Sequence, residues 1–372
     1  MSDAASLRAF DTRSVDPKRL GMLTILFVAT ACSATPPATA STLPSTTAAS
    51  TTSGPSPKPT PTSPTTRERY IATELFEVQI TPSAIAASAS EVYVAEVALG
   101  ARPANTLSKV VVVSLSGGTP TTVPGSETPA SVSINGLTFH DNALYMSTGS
   151  NGPNRLSGVF RLASGTSTPV VAGPGAPADF SHGNGDGGPA QSAVLQGPAS
   201  LAFSTAGDLY IAEFGDSRIR VVRAQTITTF AGGNGVGTYG AIPTGSATTA
   251  KLGSVGLIAV DPSGVVYAAQ PSGGKWIVRI DPSGAVSTIS SSFTVSGLAI
   301  DINGDLLAAD GDGDRIVRFP RAHPDQLSVV IAGLGHIVAL ATATDGSVYV
   351  AIWHPDPSRA VPYKITRLVP LP

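Results

Sequence analysis

The side chains best suited to chemistry in this sequence are acids, amides and imidazoles set at recurring places. Glu96 closes the apolar run Val92-Tyr93-Val94-Ala95, Glu213 closes Leu209-Tyr210-Ile211-Ala212, and Asp310 closes Leu306-Leu307-Ala308-Ala309. Gln270 takes the same place after Val266-Tyr267-Ala268-Ala269. A ring of carboxylates built this way attracts a cation or a basic ligand. The competing reading is structural: the acids accept backbone hydrogen bonds or pair with arginines such as Arg218 and Arg315. Asn151, His182, Asp186 and His336 lie in or beside glycine-rich connecting segments and complete the candidate set. Asp310-Gly311-Asp312-Gly313-Asp314 sets out alternating hard oxygens, as the start of a calcium loop does, but no bidentate acid ends a twelve-residue loop. The expectation for Asp310, Asp312 and Asp314 is therefore no bound metal.

Several chemistries are excluded outright. There is no Gly-x-Ser-x-Gly elbow and no phosphate-binding loop. A single cysteine, Cys32, rules out a disulfide framework and a cysteine-rich zinc site. Charged residues make up 13% of the chain, the formal net charge is −2, and no Lys/Arg cluster forms the basic face that nucleic acid needs.

The elements that must position these residues are short strands. From about Ile71 onward one pattern recurs: an apolar strand, a tight turn, then a Tyr-Val-Ala-like strand. The six second strands are Val92–Glu96, Leu144–Thr148, Leu209–Glu213, Val266–Gln270, Leu306–Asp310 and Val348–Ile352. Turns such as Asp261-Pro262-Ser263-Gly264 and Asp301-Ile302-Asn303-Gly304 supply hairpin dihedrals at little steric cost. Third strands (Arg218–Val222, Arg315–Phe319) and fourth strands (Ile227–Gly232, Leu327–Gly333) follow. Four antiparallel strands repeated six times read as an all-β, six-bladed β-propeller. The last repeat stops after three strands, whereas Tyr70–Val78 precedes the first blade and belongs to none. That N-terminal strand is expected to close the last blade, which removes two exposed edges at once.

Gly185-Asp186-Gly187-Gly188-Pro189-Ala190, Leu195-Gln196-Gly197-Pro198, Gly207–Glu213 and Ser217-Arg218-Ile219-Arg220 together resemble a bacterial NHL repeat. The likeness is closest over 185–232, moderate in blades four and five, and positional elsewhere. It implies that Glu213 and Asp310 play structural parts, since the family carries an acid there routinely. It also implies that the second-to-third-strand loops and the blade connections share one face. The long segments 97–108, 149–157, 174–196, 233–251 and 353–362 all fall on that face, and variable loops on a rigid scaffold are where binding resides. Propellers of related shape include zinc lyases and sugar lactonases. A zinc lyase needs converging histidines. Of His140, His182, His323, His336 and His354, only His182 and His336 are placed to meet. A lactonase-like site needs a Glu, an Asn and an Asp, for which Glu96, Asn151 and Asp310 are the available set without a motif match.

The first 32 residues read as an address. Lys18 and Arg19 precede an apolar run, Leu20 to Ala31, the length of a signal-peptide core. The run ends in Val28-Ala29-Thr30-Ala31-Cys32, which resembles a bacterial lipobox and implies a diacylglyceryl group on Cys32, export, and a lipid anchor on the extracytoplasmic face of the membrane. Residues 33–69 are dominated by Ser, Thr, Pro and Ala, too little apolar surface to order, and read as a spacer. Residues 70–372 form the propeller. The expected function is a monomeric surface propeller that binds a protein, peptide or cell-wall glycan without a dissociable cofactor. The alternatives are a metal-dependent lyase or lactonase, and an envelope scaffold.

Overall fold

Strands form here because β-branched and small apolar residues alternate with turn-forming Asp, Asn, Pro and Gly. A computed structural model describes residues 70–78, 80–98, 107–150, 157–172, 185–233, 240–271, 274–290, 292–354 and 362–371. In chain order, β1 (Tyr70–Val78) comes first. Blade one is β2 (Thr81–Ala87), β3 (Glu91–Val97), β4 (Lys109–Ser114) and β5 (Thr121–Thr122). Blade two is β6 (Val132–His140), β7 (Ala143–Ser150), β8 (Gly158–Ala163) and β9 (Thr166–Val171). Blade three is β10 (Pro198–Phe203), β11 (Leu209–Glu213), β12 (Arg218–Arg223) and β13 (Thr226–Gly232). Blade four is β14 (Leu257–Val260), β15 (Val266–Ala269), β16 (Ile277–Ile280) and β17 (Val286–Ser290). Blade five is β18 (Val295–Ile300), β19 (Leu306–Asp310), β20 (Arg315–Phe319) and β21 (Ser328–Ala332). Blade six takes β22 (His336–Thr342), β23 (Val348–Trp353), β24 (Tyr363–Pro370) and, as its outer strand, β1.

The protein is thus a six-bladed β-propeller, and its ring closes as the chain ends demanded. β1 runs antiparallel to β24 from Tyr70↔Pro370 to Val78↔Tyr363, with one bulge between Glu74 and Phe76. The seam is packed as well as paired: Val78, Tyr363 and Ile365 share a buried cluster with Ile85, Val92, Val94 and Val111 of blade one. Each of the six hydrophobic clusters likewise lies between two neighbouring blades. The core is therefore a ring of blade interfaces, and second strands such as β11, β15 and β19 are buried on both faces along their whole length. This is why they read as unbroken apolar runs, while the outer strands β17 and β21 keep exposed positions.

The first hairpins hold their register by a repeated device. Asp301 Oδ1 accepts the amides of Asn303 and Asp305, both at 2.9 Å, and Asp261 Oδ1 accepts those of Ser263 and Val265. Gly264, Gly304 and Gly346 sit in the left-handed region at the same place in each turn, where an L side chain is strained. These hairpins fix one face of the propeller; the second-to-third-strand connections and the blade connectors lie on the other.

Candidate functional site

The first strands form the innermost ring, since each touches the first strands of both neighbouring blades. In five blades this strand is bulged near its start: at Pro82/Ala84, Ile134/Gly136, Pro198/Leu201, Val295/Gly297 and Ile337/Ala339. A bulge re-aims side chains, and here it turns small polar groups toward the neighbouring blade. Ser83 Oγ donates to Ile134 O at 2.5 Å, Asn135 Nδ2 to Pro198 O at 2.9 Å, and Ser200 Oγ to Ile258 O at 3.3 Å. The channel wall is stitched blade to blade by side chain to backbone bonds.

Around this ring, the ends of the second strands carry the candidate residues. In alternate blades an acid there faces a base that opens the third strand, directly across the ladder. The pairs are Glu96 with Lys109 (3.7 Å), Glu213 with Arg218 (2.7 Å) and Asp310 with Arg315 (2.9 Å). Blades two, four and six place Thr148, Gln270 and Ile352 at the corresponding position. Glu213 and Asp310 thus meet Arg218 and Arg315, the arginines that a structural reading would pair with them. Gln270 is buried, and its Oε1 accepts the Gly240 amide at 2.8 Å, tying the blade connector to blade four.

Blade three extends its pair into a chain of charges. Arg218 also meets Asp216 at 2.8 Å, and Arg220 lies 3.9 Å from Glu213. Arg220 further bonds Asp186, whose other oxygen accepts from Thr229 N (3.1 Å) and Oγ1 (2.5 Å). Arg220 Nη1 donates to Val194 O at 3.1 Å, and Glu213 Oε1 accepts the Gln196 amide at 2.8 Å. Burial pushes the Glu213 carboxyl above the ordinary glutamate range; Arg218, Arg220 and the Gln196 amide pull it back. Asp186 is accordingly a clamp that fastens the connector, with its short 3-10 turn Ala190–Ser192, onto blade three.

Sequence reading did not single out Arg220, although the signal was present. In Arg218-Ile219-Arg220, a period of two puts both guanidinium groups on one face and Ile219 in the core. The partner Asp186 lies 34 residues away.

His336 opens β22 and is half-buried. Its Nδ1 lies 2.8 Å from Gly311 O, and since a carbonyl only accepts, Nδ1 is the donor. Trp353 packs edge-on against the ring at 6.1 Å. The aspartates that follow β19 do not converge. Asp310 accepts the Gly313 amide at 2.8 Å besides its arginine, Asp314 accepts the Gly335 amide at 2.9 Å, and Asp312 is exposed. Among the described residues no group of three or more His, Cys, Asp or Glu is placed to hold a metal ion. Cys32, Asn151 and His182 lie outside the described residues. His140 ends β6 at the first hairpin, stacked on Phe203 at 4.1 Å, and His323 lies in the turn between β20 and β21, so both belong to the opposite face.

The class these features define is a six-bladed β-propeller with a wired, loop-rich face. No family model matches the sequence, and no curated protein matches it. Solved structures do resemble it. A candidate glucose dehydrogenase of Thermus thermophilus superposes with a TM-score of 0.51 at 16% identity, over 81% of this chain and 100% of that one. A gluconolactonase of Xanthomonas campestris gives 0.51 at 13% identity, over 82% and 90%. Virginiamycin B lyase of Staphylococcus aureus gives 0.47 at 15%, over 82% and 99%. At these identities the likeness is one of fold.

Proposed function

We propose that this protein is a surface-tethered recognition propeller that binds a protein, peptide or cell-wall glycan through its loop-rich face. The carrying observation is the state of the charged groups there: Glu96, Glu213 and Asp310 are each engaged by a base of their own blade, and the connector residue Asp186 by Arg220 of blade three. Engaged acids hold loops in place, whereas a catalytic carboxylate has to be presented to a reacting atom. A stiff scaffold with long connections on one face suits recognition. The chain before Tyr70 supplies the tether, with lipid on Cys32 and a spacer over 33–69. Two measurements test this. Cys32→Ala should move the full-length protein from membranes to the soluble fraction. Surface crosslinking of the full-length chain should capture a partner that is lost when 355–361 is replaced by a Gly-Ser connection of equal length, at unchanged melting temperature. Membrane partitioning that ignores Cys32, or capture that ignores the loop, would refute the respective half.

His336 motivates a second reading, a metal-dependent lyase or lactonase, because its Nδ1 is anchored on the Gly311 carbonyl, the kind of bond that orients a metal-ligating imidazole. The fold neighbours named as a glucose dehydrogenase and a gluconolactonase suit that reading. The described residues do not complete a metal site around His336. Stoichiometric metal in purified, tag-free protein would favour this reading over the first.

A further inference from the structure

A second place in the molecule has the size and lining of a small-ligand cleft, and it meets the candidate face only through Thr229, which bonds Asp186. Between blades three and four, on the hairpin side and away from the candidate face, lies a cavity of about 320 Å³. That is the low end of the range for small-molecule sites, about 300–1,000 Å³. Its existence has a local cause. The connector residue Ala247 accepts from the Gly232 amide of blade three and donates to Gly284 O of blade four, both at 2.8 Å. The two blades are thus bridged by backbone, while the side chains facing the gap, Ser246 and Ser283 among them, are too small to fill it.

The lining is polar on one side and aromatic on the other. Arg223 is half-exposed, and its head is fixed: Nε donates to Asp208 at 2.7 Å and Nη2 to the Tyr210 hydroxyl at 3.1 Å. Its Nη1 group has no partner among the described residues. Tyr210 is 3% exposed, and because its hydroxyl oxygen accepts from Arg223, its proton remains available to a ligand. Phe230 meets Tyr210 edge-on at 5.1 Å and is itself only half-buried, so part of its ring surfaces the cavity. Thr228 and Ser283 add exposed hydroxyls.

Charge narrows the ligand. The one cation, Arg223, is already neutralised by Asp208, and no other charged side chain among the described residues lines the space. An anion would find little net attraction there. A neutral molecule with many hydroxyls and one apolar face satisfies the fixed donors, the hydroxyls and the phenyl surface together. We propose that this cleft binds a neutral pyranose, as a free mono- or disaccharide or as the end of a longer glycan.

The test is saturation-transfer NMR on the full-length chain with glucose, N-acetylglucosamine, its β-1,4-linked disaccharide, and gluconate as a charged control. At least one neutral sugar should receive saturation. A disaccharide that binds more tightly than its monomer assigns the site to glycan ends, and equal binding assigns it to free sugars. Arg223→Gln removes the fixed donors, and Ser283→Trp blocks the mouth from an exposed turn; each should weaken binding at least about tenfold, given the value of hydrogen bonds to charged groups. Both variants should keep the wild-type melting temperature. No transfer to any neutral sugar, gluconate binding more tightly than every neutral sugar, or full affinity in Arg223→Gln overturns the proposal.

Discussion

Blades one and three carry the same device in the same place and use it to different extents. Each carries a glutamate at or next to the end of its second strand and opens its third on a base directly opposite. In blade three the pair is sealed, with Glu213 and Arg218 side chains 0% and 3% exposed, and it continues through Arg220 to Asp186. In blade one the charges stand 3.7 Å apart with Lys109 a third exposed, and hydroxyls do the fastening. Ser126 Oγ accepts the Val110 amide at 3.0 Å, and Ser108 Oγ accepts the Ala98 amide at 3.1 Å. The difference comes from what precedes each blade. A long connector is laid along β13, bringing Asp186 to Arg220 and covering the charges. Blade one follows almost directly from β1, so it has no connector of that length ahead of it. A repeated motif therefore fixes where a charge sits, and the neighbouring segment decides how much that charge matters.

That contrast can be broken at its strong end. Arg220→Met removes the buried guanidinium that joins buried Glu213 to the part-exposed Asp186, while Arg218 stays on Glu213, and should cost about 1–3 kcal/mol. Urea unfolding of the full-length protein measures it; a loss below about 1 kcal/mol would put the buried chain on a par with a surface pair. Blade one depends instead on the seam. A chain starting at Thr81 lacks β1 and should be less stable than one starting at Tyr70 by about a few kcal/mol, a large share of a typical domain's stability. Equal stability of the two would mean that β1 only covers the edge of blade six. Lys109→Met marks the weak end, with an expected change within about 1 kcal/mol by the same urea assay. A larger loss would show that partial exposure does not weaken this pair, and the contrast between the blades would collapse.

Much of the fold was legible in the sequence for local reasons. Second strands buried on both sides must be continuous apolar runs, and Leu209–Glu213 and Leu306–Asp310 were delimited residue for residue. Turn chemistry placed the hairpins, because Asp261 and Asp301 bond amides only two and four residues ahead. Closure by Tyr70–Val78 followed from counting strands, since an unpaired edge is costly whatever the tertiary detail. Of the candidate face, the ladder partners Glu213–Arg218 and Asp310–Arg315 were readable because they lie one hairpin apart.

Only the tertiary structure decided what joins one blade to another. Asp186 reaches Arg220 across a connector, Asn135 bonds a carbonyl of the next blade, and Ala247 bridges two blades to leave a cavity beside Arg223. Strand period and turn type are short-range properties that sequence encodes within a few residues. Which side chains meet across a blade interface depends on bulges, connector paths and packing volumes, and those exist only once the ring has closed.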